Sequence, residues 1–186
     1  RSLAQALGAV WLRTDEIRLR EFARARRPFD FAQGGVLSGV EGRRPRQGFA
    51  EGIYAPHISE LVYQRLIQRA EALIRQGRSV VCDGMFSKSA GRQQLRQIAK
   101  RHAASFHFFE CVVPRAVALQ RVAARYAGKT DLSEAKPEHY DRLRRGFEPV
   151  RGWSSRDWTR LSDNRPPAAT SQAALDSLRR VWRLPL

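Results

Sequence analysis

The stretch that decides the fold is Arg78-Ser79-Val80-Val81-Cys82-Asp83-Gly84-Met85-Phe86. A short run of small and β-branched apolar residues, entered through Gly77 and left through Asp83-Gly84, predicts a buried strand that ends in a carboxylate. In an open parallel sheet, ligands bind at the C-terminal ends of the strands. Asp83 is therefore a candidate functional residue at the edge of such a sheet.

Apolar runs and helical patterns alternate along the rest of the chain. Further strands are predicted at residues 9–12, 106–113 and 158–161, and helices at residues 2–7, 16–26, 59–76, 87–103, 115–126, 137–145 and 171–182. Strands separated by helices of this length predict right-handed βαβ units. We therefore expect an α/β fold in which one domain, residues 1–186, holds a parallel sheet with helices on both faces.

The charge balance is strongly positive. The 186 residues include 34 lysines and arginines against 18 aspartates and glutamates, which gives a formal net charge of +16. Such a balance attracts anions, and these include nucleic acid, nucleotides and phosphorylated substrates. Nearly all of the positive residues are arginine, so the base composition of the genome is an alternative explanation of the excess.

Targeting and metal signals are lacking in the sequence. No apolar run approaches the roughly 20 residues of a membrane span, and the first residues form an amphipathic segment rather than a signal peptide. Cys82 and Cys111 lie far apart in two apolar runs, so we expect buried, unreactive thiols. The four histidines, which have no metal-binding spacing, are His57, His102, His107 and His139. We expect a soluble cytoplasmic protein with no membrane partner and no metal cluster.

Residues 27–51 differ in composition from the rest of the chain. They are rich in glycine, proline and arginine and have few sustained apolar positions, which predicts a long, flexible insertion. Phe29, Phe31 and Phe49 alternate with arginines and could stack on the bases of a single-stranded nucleic acid. An inserted low-complexity segment without any site is the simpler interpretation.

Five segments carry a family resemblance. They are Thr14-Asp15-Glu16-Ile17-Arg18, Gly52-Ile53-Tyr54-Ala55-Pro56, residues 77–86 with Arg92, residues 111–121 with Arg125, and Asp131-Leu132-Ser133-Glu134-Ala135. In this order and spacing they resemble small P-loop kinases, the AAA-type ATP-binding domains related to zeta toxins, gluconate kinases and polynucleotide kinases. Such domains are often fused to aminoglycoside-phosphotransferase-like domains. The resemblance implies a nucleoside-kinase-like P-loop NTPase fold over nearly the whole chain outside residues 27–51.

The resemblance also implies an activity, an ATP-dependent transfer of phosphate to a hydroxyl group of a small-molecule or nucleotide-like substrate, with Mg²⁺. Asp15 resembles the aspartate that accepts the proton of that hydroxyl, and Arg18 would hold the substrate. Asp83 resembles the carboxylate near Mg²⁺ and substrate, and Arg92 would bind the substrate phosphate. The alternatives from local structure are a helix N-cap for Asp15, a turn residue for Asp83 and a solvated basic face for Arg92.

Arg121 and Arg125 resemble the arginines that reach across ATP and neutralise charge on its γ-phosphate, Arg121 with a catalytic role. Residues 127–137 would then form the lid that closes over the site. An arginine-rich surface helix is the alternative interpretation of Arg121 and Arg125. For residues 131–135, the alternative is the start of the next helix.

One family motif is missing from the sequence. These kinases begin with a strand, a G-x-x-x-x-G-K-[ST] loop that cradles phosphates, and a helix, and the loop pattern occurs nowhere in the 186 residues. The family alignment places residues 1–4 just after that loop. We therefore expect that the 186 residues alone are impaired or inactive and less stable than a chain with the first strand and the loop. The alternatives are a non-catalytic, basic nucleic-acid-binding module and a degenerate pseudo-kinase that serves as a scaffold.

Overall fold

The structure, a computed structural model, describes residues 2–23, 52–128, 136–162 and 164–183. These residues form four strands: β1 Val10–Arg13, β2 Val80–Asp83, β3 Phe108–Val112 and β4 Trp158–Ser162. The described part of the chain also contains seven α-helices: α1 Ser2–Ala6, α2 Thr14–Ile17, α3 Pro56–Arg75, α4 Ser89–Arg101, α5 Arg115–Gly128, α6 Tyr140–Arg145 and α7 Pro167–Trp182. A π-helical turn, Arg18–Ala23, continues α2, and two 3₁₀ turns, Gly52–Tyr54 and Pro137–His139, precede α3 and α6. The α/β prediction is confirmed.

The strands form two parallel pairs. In the first pair Val10 of β1 faces Val80 of β2, and in the second Phe108 of β3 faces Trp158 of β4. The sequence predicts the parallel direction of the strands but not which strands pair, and among the described residues each of the four strands keeps one edge that no other strand joins. Strand pairing depends on long-range hydrogen bonds, which the apolar runs alone do not reveal.

Helices cover both faces of these pairs, as expected. On one side Leu12, Cys82 and Phe108 pack against a buried cluster, whose members are Ile17, Val62, Leu66, Ile67, Phe86 and Ile98. On the other side α7 lies against β4, where Ser177 and Thr159 are hydrogen-bonded at 3.1 Å. Helix α1 contacts both β2 and α7 and so joins the two strand pairs.

The longest helix shows how the sequence sets its limits. Helix α3 begins at Pro56, where a missing N–H costs no hydrogen bond, and its apolar face buries Val62, Leu66 and Ala70. The chain then turns at Gly77, whose φ of +72° favours glycine, and enters β2. This turn sets the direction of the strand that ends at Asp83.

The two cysteines differ in their burial. Cys82 is partly buried, but Cys111 is exposed, so the expectation of two buried thiols is wrong for Cys111. An apolar run does not show which positions of a strand remain uncovered by helices. The predicted insertion at residues 27–51 and most of the predicted lid at residues 127–137 lie outside the described residues.

No helix in the described part of the chain combines the length and the apolar character that crossing a membrane requires.

Candidate active site

Two acidic residues lie at the C-terminal ends of β1 and β2. Asp83 is the last residue of β2 and faces Arg13 across the pair, and Asp15 follows Arg13 by two residues. The Arg13 Nε atom lies 3.7 Å from Asp83 Oδ2, and the Asp83 side chain is 51% exposed. Asp83 therefore has a counter-charge that the sequence did not reveal, yet its carboxylate remains open to solvent.

Arg18 is buried beside the N-terminus of α3. It is 6% exposed, and its Nη1 atom donates to Ile53 O at 2.5 Å and to Ser59 Oγ at 3.2 Å. Its guanidinium lies 4.8 Å from the centre of the Tyr54 ring, and its Nε has no hydrogen-bond partner among the described residues. A buried cation next to a helix N-terminus makes the local potential positive, which favours an anion.

Tyr63 connects this region to the loop that follows β2. Its Oη accepts the Phe86 N–H at 2.9 Å, and its ring meets the Phe86 ring edge-on at 5.1 Å. Burial raises the pKa of Tyr63, the nearby Arg18 lowers it and the nearby Asp15 raises it. Sequence reasoning missed Tyr63, because its position on α3 differs in no local way from those of other helical residues.

The loop of residues 84–88, here called the β2–α4 loop, is tightly held. A β-carbon on Gly84 would lie 2.7 Å from Thr14 Cγ2, so the loop passes Thr14 at a distance that only glycine allows. Phe86 has a φ of +41°, an unfavourable backbone conformation for an aromatic residue, and is 5% exposed. Strained residues of this kind persist only where their surroundings hold them.

Arg92 is the largest fully buried side chain of the described residues, at 2% exposure. Nη1 donates to Phe86 O at 2.5 Å and Ser87 O at 3.2 Å, and Nη2 donates to Glu148 O at 2.6 Å. The rings of Phe108 and Phe147 lie 5.6 and 5.0 Å from its guanidinium, and burial lowers its pKa. The predicted substrate contact of Arg92 stays a prediction, and the observed contacts are structural.

Glu148 meets the same loop from a distant part of the chain. Its Oε2 accepts the Ser89 N–H at 2.7 Å at the start of α4, and its Oε1 lies 3.1 Å from Lys88 Nζ. These hydrogen bonds, that from the Ser89 N–H first, lower the pKa of Glu148 to about 2. The carboxylate therefore caps α4 in its charged form at any neutral pH.

Arg121 and Arg125 lie on α5, beyond the end of β3. Arg121 Nη2 donates to Arg165 O at 3.3 Å, and Arg165 follows the end of β4, so this guanidinium is at the C-terminal end of the second strand pair. At the start of α5, Arg115 forms a two-point ion pair with Asp141 of α6, with distances of 2.9 and 2.6 Å. This ion pair joins the two helices that flank the predicted lid.

The predicted residues thus fall into two groups, one at the end of β2 and on the segments that follow β1 and β2, and one on the helix that follows β3. The first, around β1 and β2, consists of Asp15, Arg18, Asp83 and Arg92, and the second is Arg121 with Arg125. Residues 128–130 read Gly-Lys-Thr, but Ala123 stands where the loop pattern needs its first glycine, and a helix precedes them instead of a strand. These three residues therefore do not replace the missing phosphate loop.

Comparisons with known proteins show the family to which the chain belongs. A family model described as AAA domain matches residues 1–150. Uncharacterised proteins of Mycobacterium tuberculosis and Mycobacterium bovis are 30% identical over 137 residues, which cover 72% of this chain. The chain spans only 24% of the length of these relatives.

A solved structure from Chloroflexus aurantiacus, of a protein proposed to be a kinase, matches with a TM-score of 0.59 at 15% identity. The match covers 95% of this chain and 88% of that one. At this identity the likeness shows the fold alone, and together with the AAA family model it identifies a P-loop NTPase fold.

Proposed function

The chain belongs to the AAA-type family of P-loop kinase-like domains, and we propose that it is an ATP-dependent phosphotransferase that acts on a hydroxyl group. The observation that supports this most is the position of Asp15, Arg18 and Asp83 at the C-terminal ends of one parallel strand pair. In this kind of sheet that edge binds the ligand. As part of the same proposal, we place the protein in the cytoplasm, where ATP is available.

In this proposal Asp15 accepts the proton of the acceptor hydroxyl as that oxygen attacks the γ-phosphate. Arg18 holds the acceptor, because a buried guanidinium at the start of α3 favours a negatively charged group there. Tyr63 lies close enough to both residues for their charges to act on its hydroxyl. Phosphoryl transfer depends mainly on positioning and on charge stabilisation, which such a fixed arrangement provides.

The described residues include only some of the groups that would bind the nucleotide. Arg121 and Arg125 offer planar donors for phosphate oxygens, and the exposed carboxylate of Asp83 is the oxygen ligand that Mg²⁺ prefers. Mg²⁺ would neutralise phosphate charge during the transfer. The described residues therefore fit a Mg²⁺-bound nucleotide, but they offer no backbone cradle for its phosphates.

That cradle would come from a strand and a G-x-x-x-x-G-K-[ST] loop joined ahead of Arg1. Two observations support this part of the proposal. The four strands of the described residues divide into two pairs, as expected if another strand belongs between β2 and β3. Helix α1, which would follow the loop, contacts both β2 of the first pair and α7, which packs on the second pair. We therefore expect weak or no ATP binding by the 186 residues alone.

The test is phosphate transfer from radiolabelled ATP to a panel of hydroxyl acceptors: sugars, aminoglycosides, nucleosides and polynucleotide ends. It is run on the protein with any residues that its gene encodes directly ahead of Arg1. Asp15→Asn is expected to lower kcat by about 10²–10⁴. The control is Asp176→Asn, on the exposed surface of α7, which should leave the rate unchanged. Equal rates for the two variants would contradict the role of Asp15.

A nucleic-acid-binding module remains the alternative, and the net charge of +16 is the observation that favours it. The segment proposed to carry this function, residues 27–51, lies outside the described residues. Binding to single-stranded DNA at increasing salt separates the two functions. A module of this kind loses affinity steeply as salt rises, because each phosphate contact releases a counterion.

A further inference from the structure

One irregular segment, residues 147–157, lies along α4 and connects two parts of the fold. At its first residues, the Glu148 N–H donates to Ser87 O at 2.8 Å. Farther along, Arg96 forms an ion pair with Asp157 at 2.5 Å and lies 5.2 Å from the Trp153 ring, and Phe108 N–H donates to Asp157 O at 2.8 Å. The segment therefore runs from the β2–α4 loop, at the C-terminal end of β2, to the start of β3.

The contacts at the first end are the most buried. Arg92 binds two carbonyl groups of the β2–α4 loop and one of Glu148, so a single side chain bridges loop and segment. Glu148 returns two contacts to the loop end, to Lys88 and to the Ser89 N–H. We call Arg92 and Glu148 together the clasp. Only arginine has a planar group with five donors that can serve three carbonyls at once.

Glu148 of the clasp lies close in sequence to α6, and α6 contacts α5, the helix that carries Arg121 and Arg125. Helix α6 ends at Arg145, only two residues before Phe147, whose ring packs on Arg92. Helix α6 is held to the start of α5 by the ion pair of Asp141 with Arg115. A continuous set of contacts therefore leads from α5, which carries Arg121 and Arg125, through α6 to the loop next to Asp83.

We propose that Arg92 and Glu148 are positioning residues that fix the β2–α4 loop, and with it Asp83, relative to helices α5 and α6. The importance of that position for catalysis rests on the proposed phosphotransferase function. The physical basis is the strained loop: Phe86 keeps its φ of +41° while Tyr63 and Arg92 bind its N–H and C=O groups. Without the clasp, the loop relaxes and the spacing of the two site groups is no longer fixed.

Hydrogen exchange tests the coupling without any nucleotide. Arg92→Lys keeps the positive charge but cannot donate to three carbonyl groups at once. Glu148→Gln weakens the cap of α4, and the Glu148 side chain is 44% exposed. We expect exchange of the Phe86, Ser89 and Glu148 amides to rise at least about tenfold in both variants, with a rise in α6 as well. Arg96→Lys is the matched control, one helical turn along α4 and against the same segment, and should leave these amides unchanged.

Three outcomes would overturn the proposal. Unchanged exchange in the β2–α4 loop would show that the clasp does not hold the loop. A rise in the loop without one in α6 would show that the two groups are not coupled. An equal rise at the amides of Val62 and Leu66, in the core of α3, would show a general loss of stability in place of a local release.

The transfer assay separates this proposal from the proposed function. In an active enzyme Arg92→Lys should lower kcat about tenfold and leave the acceptor KM within about twofold, because positioning acts on the transition state. An unchanged kcat with altered exchange would refute the catalytic role of the clasp. Absence of transfer in the unmodified protein would refute the phosphotransferase function, and the exchange result would stand on its own.

Discussion

Replacing Gly84 by alanine is expected to destabilise the protein, because other atoms already fill the space of a β-carbon. That carbon would lie 2.7 Å from Thr14 Cγ2, 3.0 Å from Thr14 Oγ1 and 3.3 Å from Tyr63 Oη. The optimum separation of two carbon atoms is about 3.5–4.0 Å, so Thr14 or the β2–α4 loop must move. Asp15 follows Thr14 and Asp83 precedes Gly84, so the movement also displaces the candidate site.

Two opposing effects set the size of the change. Forcing an extra methyl group into packed space costs about 1–3 kcal/mol in free energy of unfolding. Alanine also restricts the unfolded chain, which stabilises the folded state by roughly 0.4–1 kcal/mol. Since Gly84 does not have a left-handed backbone, no further strain is added. We expect a net loss of about 1–2 kcal/mol.

Urea unfolding of four variants measures this loss: Gly84→Ala, Gly91→Ala, Thr14→Ser and the double variant of Thr14→Ser with Gly84→Ala. Gly91→Ala is the matched control, because its β-carbon would lie 3.9 Å from Phe86 Cδ1 inside α4, an ordinary contact in a helix. It should stabilise the protein by up to about 1 kcal/mol. Adding Thr14→Ser to Gly84→Ala removes the nearest clashing methyl group, so the double variant should recover at least about 0.5 kcal/mol relative to additivity.

The result that refutes this reasoning is a Gly84→Ala protein as stable as Gly91→Ala. Strictly additive effects of Thr14→Ser and Gly84→Ala would also contradict it, because they would show that the two residues do not collide.

Two further properties of the structure can be measured. Burial lowers the pKa of His107, which bonds to Arg156 O at 2.8 Å and Thr159 Oγ1 at 2.9 Å, so the folded state takes up its proton less readily than the unfolded state. The free energy of unfolding should therefore fall as the pH drops below the ordinary histidine pKa of about 6.5. His107→Gln should make this free energy depend less on pH between about pH 7.5 and 5.5. An unchanged pH dependence in the variant would contradict the assignment to His107. Ellman's reagent should modify Cys111, which is exposed, in the folded protein and Cys82 only after unfolding, because burial raises the Cys82 pKa to about 12. Rapid reaction of both thiols in the folded state would contradict this.

Local patterns predicted the elements that position the site. The Val80-Val81-Cys82 run between Gly77 and Gly84 indicated β2, and the apolar spacing of α3 indicated a helix that ends before Gly77. These features depend on neighbours in the sequence, so they can be recognised without the fold. Asp83 could be placed at a strand end for the same reason.

Contacts between distant segments could not be predicted. Arg92 belongs to a basic helix, for which the sequence predicts a contact with substrate or with solvent. Its side chain instead lies buried among the carbonyl groups of residues 86, 87 and 148. Arg13 became the counter-charge of Asp83 only through the register of β1 with β2. Nothing in the local sequence of Tyr63 or Glu148 indicated their contacts with the β2–α4 loop.

Titration calorimetry that measures the binding of ATP with Mg²⁺ tests the central claim most directly. Two proteins are compared: the 186 residues alone, and the same residues joined at Arg1 to a strand and a G-x-x-x-x-G-K-[ST] loop. If the chain is a P-loop kinase-like domain, we expect no measurable ATP binding by the first protein and micromolar binding by the second. Arg121→Gln should weaken ATP binding by the second protein. Micromolar binding by the 186 residues alone, or no binding by the longer protein, would contradict the account.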